Sequence, residues 1–424
     1  MQHLADLHVH SRFSRACSSA LSIKTLEKWA KIKGVTLLGT SDFTHPEWIK
    51  ELKDNLVEDE SGVLKTSSGF PFILQTEISL IYTQGDKGRR VHQVVLAPNF
   101  EVVDQITEYL KKNGRIDYDG RPIFKISSDK FVYDLRKISQ DIEVIPAHIW
   151  TPWFSMFGSK SGFDSLQECF KDQEKYVHAI ETGMSSDPPM NWRLKQLDRI
   201  NILSFSDAHS FWPWRLGREA TIFDFKKLTY ANLLRAIRTG EGLTGTVEVD
   251  PGYGKYHFDG HRNCNITMTP AEALKHKNIC PNCKRELTLG VAHRVEDLAD
   301  RAEDYQRPNA KPFHTLLPIS EVLSSMINKA ISTKTVWKEY NKLLKRFGSE
   351  YEILLNAPEN KLAEEVHPKI ANAIMLNREG KLKVKPGYDG VYGELIMSDG
   401  VNEKELLAEE QKSSPLQKGL GEFL

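Results

Sequence analysis

Neither sign of charge is in excess in this chain: lysine and arginine together number 57, and aspartate and glutamate together number 57. That balance excludes a globally basic surface, so any hold on a polyanion must come from a local concentration of charge. An apolar run approaching the length of a membrane span is also lacking, and no membrane partner is expected. The opening MQHLADLHVH has neither the basic region nor the apolar core of a signal peptide. Cysteine is scarce and odd in number: Cys17, Cys169, Cys264, Cys280 and Cys283. Three of the five cluster, which argues against a disulfide framework and for metal ligation in a reducing compartment. A cytoplasmic protein is expected. The length predicts two or three domains with ample material for a core.

What is present is a pattern of short apolar runs of strand length, separated by segments with helical periodicity. LADLHV runs into His8 and His10, VTLLGTS into Asp42, and PFILQT into Glu77. His92 opens HQVVLAP, IEVIPA runs into His148, HAIE carries Glu181, and INILSFS runs into Asp207 and His209. Alternating β and α units predict a parallel sheet, and in a closed barrel the strand ends converge on one mouth. Taken singly, a histidine after a strand is more often structural, as expected for His45, His178 and His367, and Asp42 or Glu181 can simply cap the next helix. Taken together, two pairs stand out, His8/His10 and Asp207/His209, on the first and last strands. Residues i and i+2 of a strand share a face, so each pair can grip one ion. Histidine with carboxylate and without thiolate suits zinc, manganese or iron. A carboxylate such as Glu77 can bridge two ions, and ions about 3.5–4 Å apart clamp the oxygens of an in-line phosphoryl displacement. Phosphoester hydrolysis is the expected reaction.

HVH, the aspartate of TSDF, TEI, the histidine that follows, PAH and SDAH stand in the order of the motifs of the PHP (polymerase and histidinol phosphatase) family, which residues 1–220 resemble. The resemblance implies an α/β fold with a distorted seven-stranded (β/α)7 barrel and up to three metals. Carried over, His8, His10, Glu77 and Asp207 hold one ion, Glu77, His92 and His148 a second, and His209 belongs to a third. Many members carry TDH where this chain has Ser41-Asp42-Phe43, and another usual third-site ligand falls on Ala16. The third site is therefore either absent or rebuilt around Asp42 or His45. Two or three divalent ions (zinc, or manganese or magnesium) are expected, with His8, His10, Glu77, Asp207 and His209 as the catalytic set.

A second metal site of another kind is legible downstream. Cys280-Pro-Asn-Cys283 and His261-Arg-Asn-Cys264 form two ligand pairs with the loop length of a structural tetrahedral zinc, although His257 can replace His261. Basic residues outnumber acidic ones across this insert. Zinc knuckles with basic loops meet nucleic acid, but zinc also staples folds whose own core is too small. After a connector rich in proline and charge, residues 319–377 show helical periodicity. Lys334, Lys338 and Lys342 lie at i, i+4 and i+8 on one helix face, which is either a solvated face or a line of charges for a phosphate backbone. Aromatic residues crowd the loops after two motifs, with Trp150 and Trp153 after His148 and Trp212 after His209. Placed at the mouth, such rings can stack on an extruded base.

WTPWFSMFG, SDAHSFWPWRLGREA, the zinc insert followed by HRVEDLADR, and PGYDGVYGEL extend the resemblance over nearly the whole chain, to the endonuclease Q family of archaeal PHP-type DNA repair nucleases. The resemblance implies cleavage of the phosphodiester 5′ to a deaminated base (uracil, hypoxanthine or xanthine) or an abasic site in damaged DNA. A small-molecule phosphatase on the same barrel, and a non-catalytic scaffold binding DNA and a partner, are the competing readings. The expected domains are a catalytic barrel over 1–224, a zinc-binding domain over 225–300, a helical DNA-binding domain over 301–400 and a tail over 401–424. In that tail Gln417, Leu420, Phe423 and Leu424 match the peptide pattern that docks on a sliding clamp of the PCNA type. One helical turn would gather the three apolar side chains into a single plug.

Overall fold

Each of the seven strand-like runs forms a strand in the computed structural model, which describes residues 1–397, 400–402 and 405–406. They are β1 (Gln2–Asp6), β2 (Leu37–Gly39), β3 (Pro71–Gln84), β4 (Lys87–Ala97), β5 (Glu143–Pro146), β6 (Ala179–Glu181) and β7 (Asn201–Leu203). β1, β2 and β3 pair in parallel, as do β6 and β7. The expected all-parallel order fails at β4, which pairs antiparallel with both β3 and β5. The cause is local. Only Gly85 and Asp86 separate β3 from β4, both at positive φ (58° and 60°), and a two-residue turn of that kind joins antiparallel strands alone.

The sheet curls so that its first and last expected strands meet. Beyond β1, Val9 bridges Ala208 in parallel and the His10 N–H donates to the Ala208 carbonyl at 3.0 Å. On the other side the Ile149 N–H donates to Glu181 O at 3.2 Å, tying the end of β5 to β6. Three further strands, β8 (Ala220–Asp224), β9 (Leu243–Glu248) and β10 (Phe313–Thr315), extend the main sheet outward from β1. Leu7, Leu37, Ile73, Val94, Ile145 and Phe205 belong to one buried apolar cluster beneath the sheet.

Helices α1 (Ile23–Lys33), α2 (Pro46–Asn55), α3 (Phe100–Lys111), α4 (Ser128–Ile138) and α5 (Tyr230–Thr239) connect the strands. α1 shows why such segments form. Ile23, Leu26 and Ala30 bury one stripe, and Ser22 and Thr25 close a reciprocal cap of the kind that contributes about 1 kcal/mol. Gly34, at φ 92°, ends the helix.

The chain divides into two units, Met1–Leu316 with Val384–Glu394, and Leu317–Lys383 with the described residues from Leu395 onward. The cysteine-rich insert lies in the first, where short strands Asp259–His261 and Ile266–Met268 pair antiparallel ahead of α6 (Val291–Leu298). The returning segment is laced to it: Gly387 N–H donates to Gly252 O at 2.9 Å and Phe258 N–H to Gly387 O at 3.0 Å. The second unit is helical, with α7 (Ile319–Ile327), α8 (Lys334–Phe347), α9 (Glu350–Leu355), α10 (Glu359–Glu365) and α11 (Pro368–Arg378). Val336, Tyr340 and Leu343 bury one stripe of α8. Buried Glu350 ties the unit together, accepting from Tyr340 Oη at 2.7 Å and the Ile319 N–H at 3.0 Å. Among the described residues, no helix is long and apolar enough to cross a membrane.

Two acids of the first unit are buried together. Glu219 accepts from the Val249 N–H at 3.2 Å and Glu248 from Thr182 Oγ1 at 2.8 Å, both fully buried. Burial raises both carboxyls, Glu219 further through the charge of Glu248, and Glu248 is pushed up to about 8. The folded chain thus holds protons that the unfolded chain releases in the ordinary carboxylate range. The contribution of these two acids to stability is full below that range and is lost as pH rises through about 8. Thermal melts should show Tm falling over this window and Glu248→Gln flattening the fall, with the largest gain above about pH 8. Parallel Tm–pH curves for the two proteins would refute the assignment.

Candidate active site

The site is assembled at strand ends. Past β1 the chain stays extended, so Leu7 and Val9 turn to the apolar interior while His8 and His10 turn to the opposite side, all four fully buried. On the hairpin, Glu77 lies opposite Val94 and Ser79 opposite His92, which puts Glu77 and His92 diagonally on one face. Asp42, His148 and Asp207 follow β2, β5 and β7 at positive φ (24°, 29° and 48°), a conformation costing non-glycine residues about 1–3 kcal/mol each. At Gly183 (φ 62°) a Cβ would stand 2.6 Å from His148 Cβ, so only glycine fits beside that histidine.

These turns bring the ligand-type atoms of His8, His10, Glu77 and Asp207 within 4.8 Å of one another, and likewise those of Glu77, His92 and His148. Glu77 is the shared member. Its Oε2 faces His10 Nε2 at 3.1 Å and His8 Nε2 at 3.5 Å, and its Oε1 faces His92 Nδ1 at 2.6 Å and His148 Nε2 at 3.2 Å. Asp207 Oδ1 stands 3.0 Å from His10 Nε2 and 3.6 Å from His8 Nε2. His8 Nε2 is buried without a hydrogen-bond partner between these carboxylates, and a donor set of imidazole and carboxylate fits a divalent cation.

Behind the ligands lie their supports. Glu181 contacts His8 Nδ1 at 2.9 Å through Oε1 and accepts the His148 backbone N–H at 2.9 Å through Oε2. Asp42 contacts His10 Nδ1 at 3.2 Å and accepts from Ser11 N, Ser11 Oγ and Ser14 Oγ at 2.6–2.8 Å. A carboxylate or carbonyl on the far ring nitrogen fixes tautomer and orientation of a metal-ligating histidine. Burial opposes charge throughout. Around His8 the carboxylates Glu181, Glu77 and Asp207 outweigh it and raise that histidine well above the imidazole range. The surrounding histidines likewise hold Asp207 well below the carboxylate range, and His92, Arg121 and His8 do so for Glu77. At His92 burial wins and lowers the ring to about 4.

Six of the eight residues expected to bind metal in the barrel fall in these two groups, and two, His209 and Asp42, lie beside them. His209 packs on His10 with ring centroids 4.5 Å apart and the rings tilted by 52°, and contacts the Asp207 carbonyl at 2.9 Å through Nδ1, outside both groups. Asp42 engages the far nitrogen of His10 and is also outside them. Trp150 is fully buried against Phe157 and donates its indole N–H to Asn191 Oδ1 at 2.8 Å, so it offers no stacking surface. Trp153 does line the mouth, edge-on to Tyr256, around a cavity of about 640 Å³ that also touches Asp207, Arg215 and Tyr392. Trp212 is exposed and stacks on Trp214 at 5.1 Å. Lys334 and Lys338 are exposed on α8, and Lys342 pairs with Glu339 at 2.8 Å. Gln417, Leu420, Phe423 and Leu424 lie outside the described residues.

Sequence reasoning missed Arg121, whose Nη1 reaches Glu77 Oε2 at 3.0 Å from a loop with no periodic signal, and Tyr256 and Tyr392, which reach the mouth only through tertiary folding. Glu181 was legible as a strand-end acid but not as the partner of His8. In the insert, His261, Cys264, Cys280 and Cys283 bring their ligand atoms within 4.8 Å, with Cys283 Sγ 3.3 Å from His261 Nδ1. His257 instead packs, tilted, against Phe258 and lies outside the group.

Residues 318–381 match the model of the MJ0043 C-terminal domain, a span that nearly coincides with the core of the second unit. The MJ0043 protein of Methanocaldococcus jannaschii is 32% identical over 292 residues, which cover 66% of this chain, and the match spans only 36% of that protein's length. The crystal structure of the lesion-specific endonuclease PfuEndoQ from Pyrococcus furiosus superposes with a TM-score of 0.84 at 32% identity, covering 94% of this chain and 96% of that one. An endonuclease Q complex with a 27-mer duplex bearing an abasic lesion at the active site superposes equally well, at TM-score 0.84 and 32% identity, covering 96% and 98%. With fold and sequence shared over nearly the full length of both chains, this protein belongs to the endonuclease Q family.

Proposed function

We propose that this chain is a metal-dependent DNA repair endonuclease that hydrolyses the phosphodiester 5′ to a damaged nucleotide, a deaminated base or an abasic site. The observation that carries the reading is the pair of ligand groups sharing Glu77 at the floor of an open cavity of about 640 Å³. His8, His10, Glu77 and Asp207 would hold one divalent cation, and Glu77, His92 and His148 a second. When bound, such ions activate the attacking water and neutralise charge developing on the phosphoryl oxygens. Glu181 and Asp42 orient His8 and His10 from behind, and His209 packs on His10 beside them. Trp153, Tyr256 and Tyr392 supply aromatic walls at the mouth, suited to a nucleotide extruded from the duplex. The exposed lysines of α8 are suited to the phosphate backbone. His261, Cys264, Cys280 and Cys283 form a closed set of four N/S ligands, the chemistry of a structural zinc.

The first test is a duplex carrying one deoxyinosine, incubated with and without divalent metal. A metal-dependent nick on the 5′ side of the lesion is expected, and Asp207→Ala should abolish it while sparing most binding. Rapid turnover of a soluble phosphomonoester with no nick would point instead to a small-molecule phosphatase. Glu181→Gln, which removes the orienting charge from His8, should weaken catalytic-metal affinity about 10–100-fold in a competition titration while leaving the Cys-bound zinc in place. Unchanged affinity would leave Glu181 a purely structural acid. For the tail we infer a tether to a sliding clamp. Deleting residues 417–424 should abolish co-elution with the clamp and leave nicking of short free duplexes intact; retained co-elution would remove the tether.

A further inference from the structure

Arg121 is placed at the floor of the cavity with more machinery than a counter-ion needs. Its guanidinium meets Glu77 Oε2 at 3.0 Å, the same oxygen that faces His8 and His10, and stays 22% exposed toward the cavity it lines. The backbone beneath it is clamped to the site. Asp119 Oδ1 accepts the Arg121 N–H at 3.1 Å and the Arg15 N–H at 3.4 Å, and Asp119 Oδ2 pairs with Arg15 Nε at 3.2 Å. Gly120 donates its N–H to Phe13 O at 3.0 Å and presses on the floor so closely that a Cβ there would stand 2.1 Å from Asp42 Oδ2. A side chain other than hydrogen at 120 is therefore excluded, and the arginine is delivered at a fixed point beside the ligand groups.

We propose that Arg121 is a substrate-contacting residue that grips a non-bridging oxygen of the scissile phosphodiester. The inference rests on the endonuclease reading above. Its electrostatic logic is an exchange of partners. Glu77 serves both ligand groups, so once they carry divalent cations its charge is more than balanced and its pull on the guanidinium weakens. A guanidinium next to cations then lacks an anion, and a phosphodiester entering the cavity supplies one. Arginine suits the exchange because its planar fork keeps several N–H donors for a tetrahedral oxyanion and stays protonated beside other cations.

The test compares Arg121→Ala and Arg121→Lys with the wild type on the one-deoxyinosine duplex, using the metal-loaded protein. Two quantities are read: the single-turnover nicking rate, and the salt dependence of binding before the nick, by stopped-flow anisotropy. Loss of one phosphate contact should lower the slope of log K against log salt by about 0.9. Arg121→Ala should show that loss together with a fall in nicking on the order of 100-fold, with metal stoichiometry and Tm unchanged. Arg121→Lys should restore the slope but only part of the rate, since it keeps the charge and loses the fork. A wild-type slope in Arg121→Ala, or loss of bound metal from it, would overturn the proposal and leave Arg121 as the counter-ion of Glu77. A wild-type protein that binds the duplex without nicking it would overturn the endonuclease reading itself, which separates the two failures.

Discussion

The whole site is organised by one buried carboxylate. Glu77 has no exposure to solvent, and an ionised carboxylate in that position carries a desolvation penalty of several kcal/mol unless positive charge surrounds it. The fold answers with four histidines and an arginine within about ion-pair reach of its two oxygens. None of these partners is adjacent to it in sequence, so the carboxylate is satisfied only when five separate segments have come together. Each histidine in turn needs its own far side held, which recruits Glu181, Asp42 and Ser155 into an outer layer. The polar centre of the barrel is thus an obligation that the surrounding architecture must meet before it is a reaction site.

That obligation explains the departures from a regular parallel barrel. Had β4 followed β3 through a helix, its residues would run the other way past Glu77. The two-residue turn at Gly85–Asp86 folds β4 straight back, and the resulting register lays His92 diagonally across from Glu77. The strained positions serve the same end. Asp42, His148 and Asp207 leave their strands at positive φ; His148 and Asp207 thereby line the cavity, and Asp42 is set behind His10. A residue held this way persists because several contacts determine it at once. His148 shows this: its backbone N–H is held by Glu181, its ring by Glu77 and Ser155, and its Cβ by the space left at Gly183.

What was legible beforehand follows from this. Ligands such as His8, Glu77 and Asp207 could be found because each closes a strand-length apolar run, and strand ends are where a curled sheet gathers side chains. The group of His261, Cys264, Cys280 and Cys283 was legible because its two pairs sit on tight local knuckles. The antiparallel hairpin is written in the sequence as Gly85-Asp86 between two runs rich in β-branched residues, a local signal opposite to the alternation of β and α units around it. Arg121, Tyr256 and Tyr392 had no such signal. They reach the cavity through irregular segments, one of which returns to the first unit only after the chain has passed through the helices of the second. Trp150 shows the opposite error: proximity to a motif in sequence suggested the mouth, whereas its indole turns inward to Asn191.

The two kinds of ligand group also differ in what they leave open, and the difference separates structure from chemistry. Three cysteines and a histidine bring four ligand atoms within 4.8 Å of one another, enough to fill a tetrahedral site, so an ion held there would have no position left for a substrate. Soft thiolates also bind zinc in preference to magnesium or manganese, so that site competes poorly for the ions the barrel would use. The barrel groups have no thiolate, share one carboxylate and open onto a cavity, which leaves room for a phosphoryl oxygen and water. In a chain whose charges sum to zero, attraction for a nucleic acid cannot come from the surface at large. It has to come from local concentrations of charge, such as the exposed lysines of α8, and the ligand groups with Arg121 beside them would add one at the cavity itself once cations are bound.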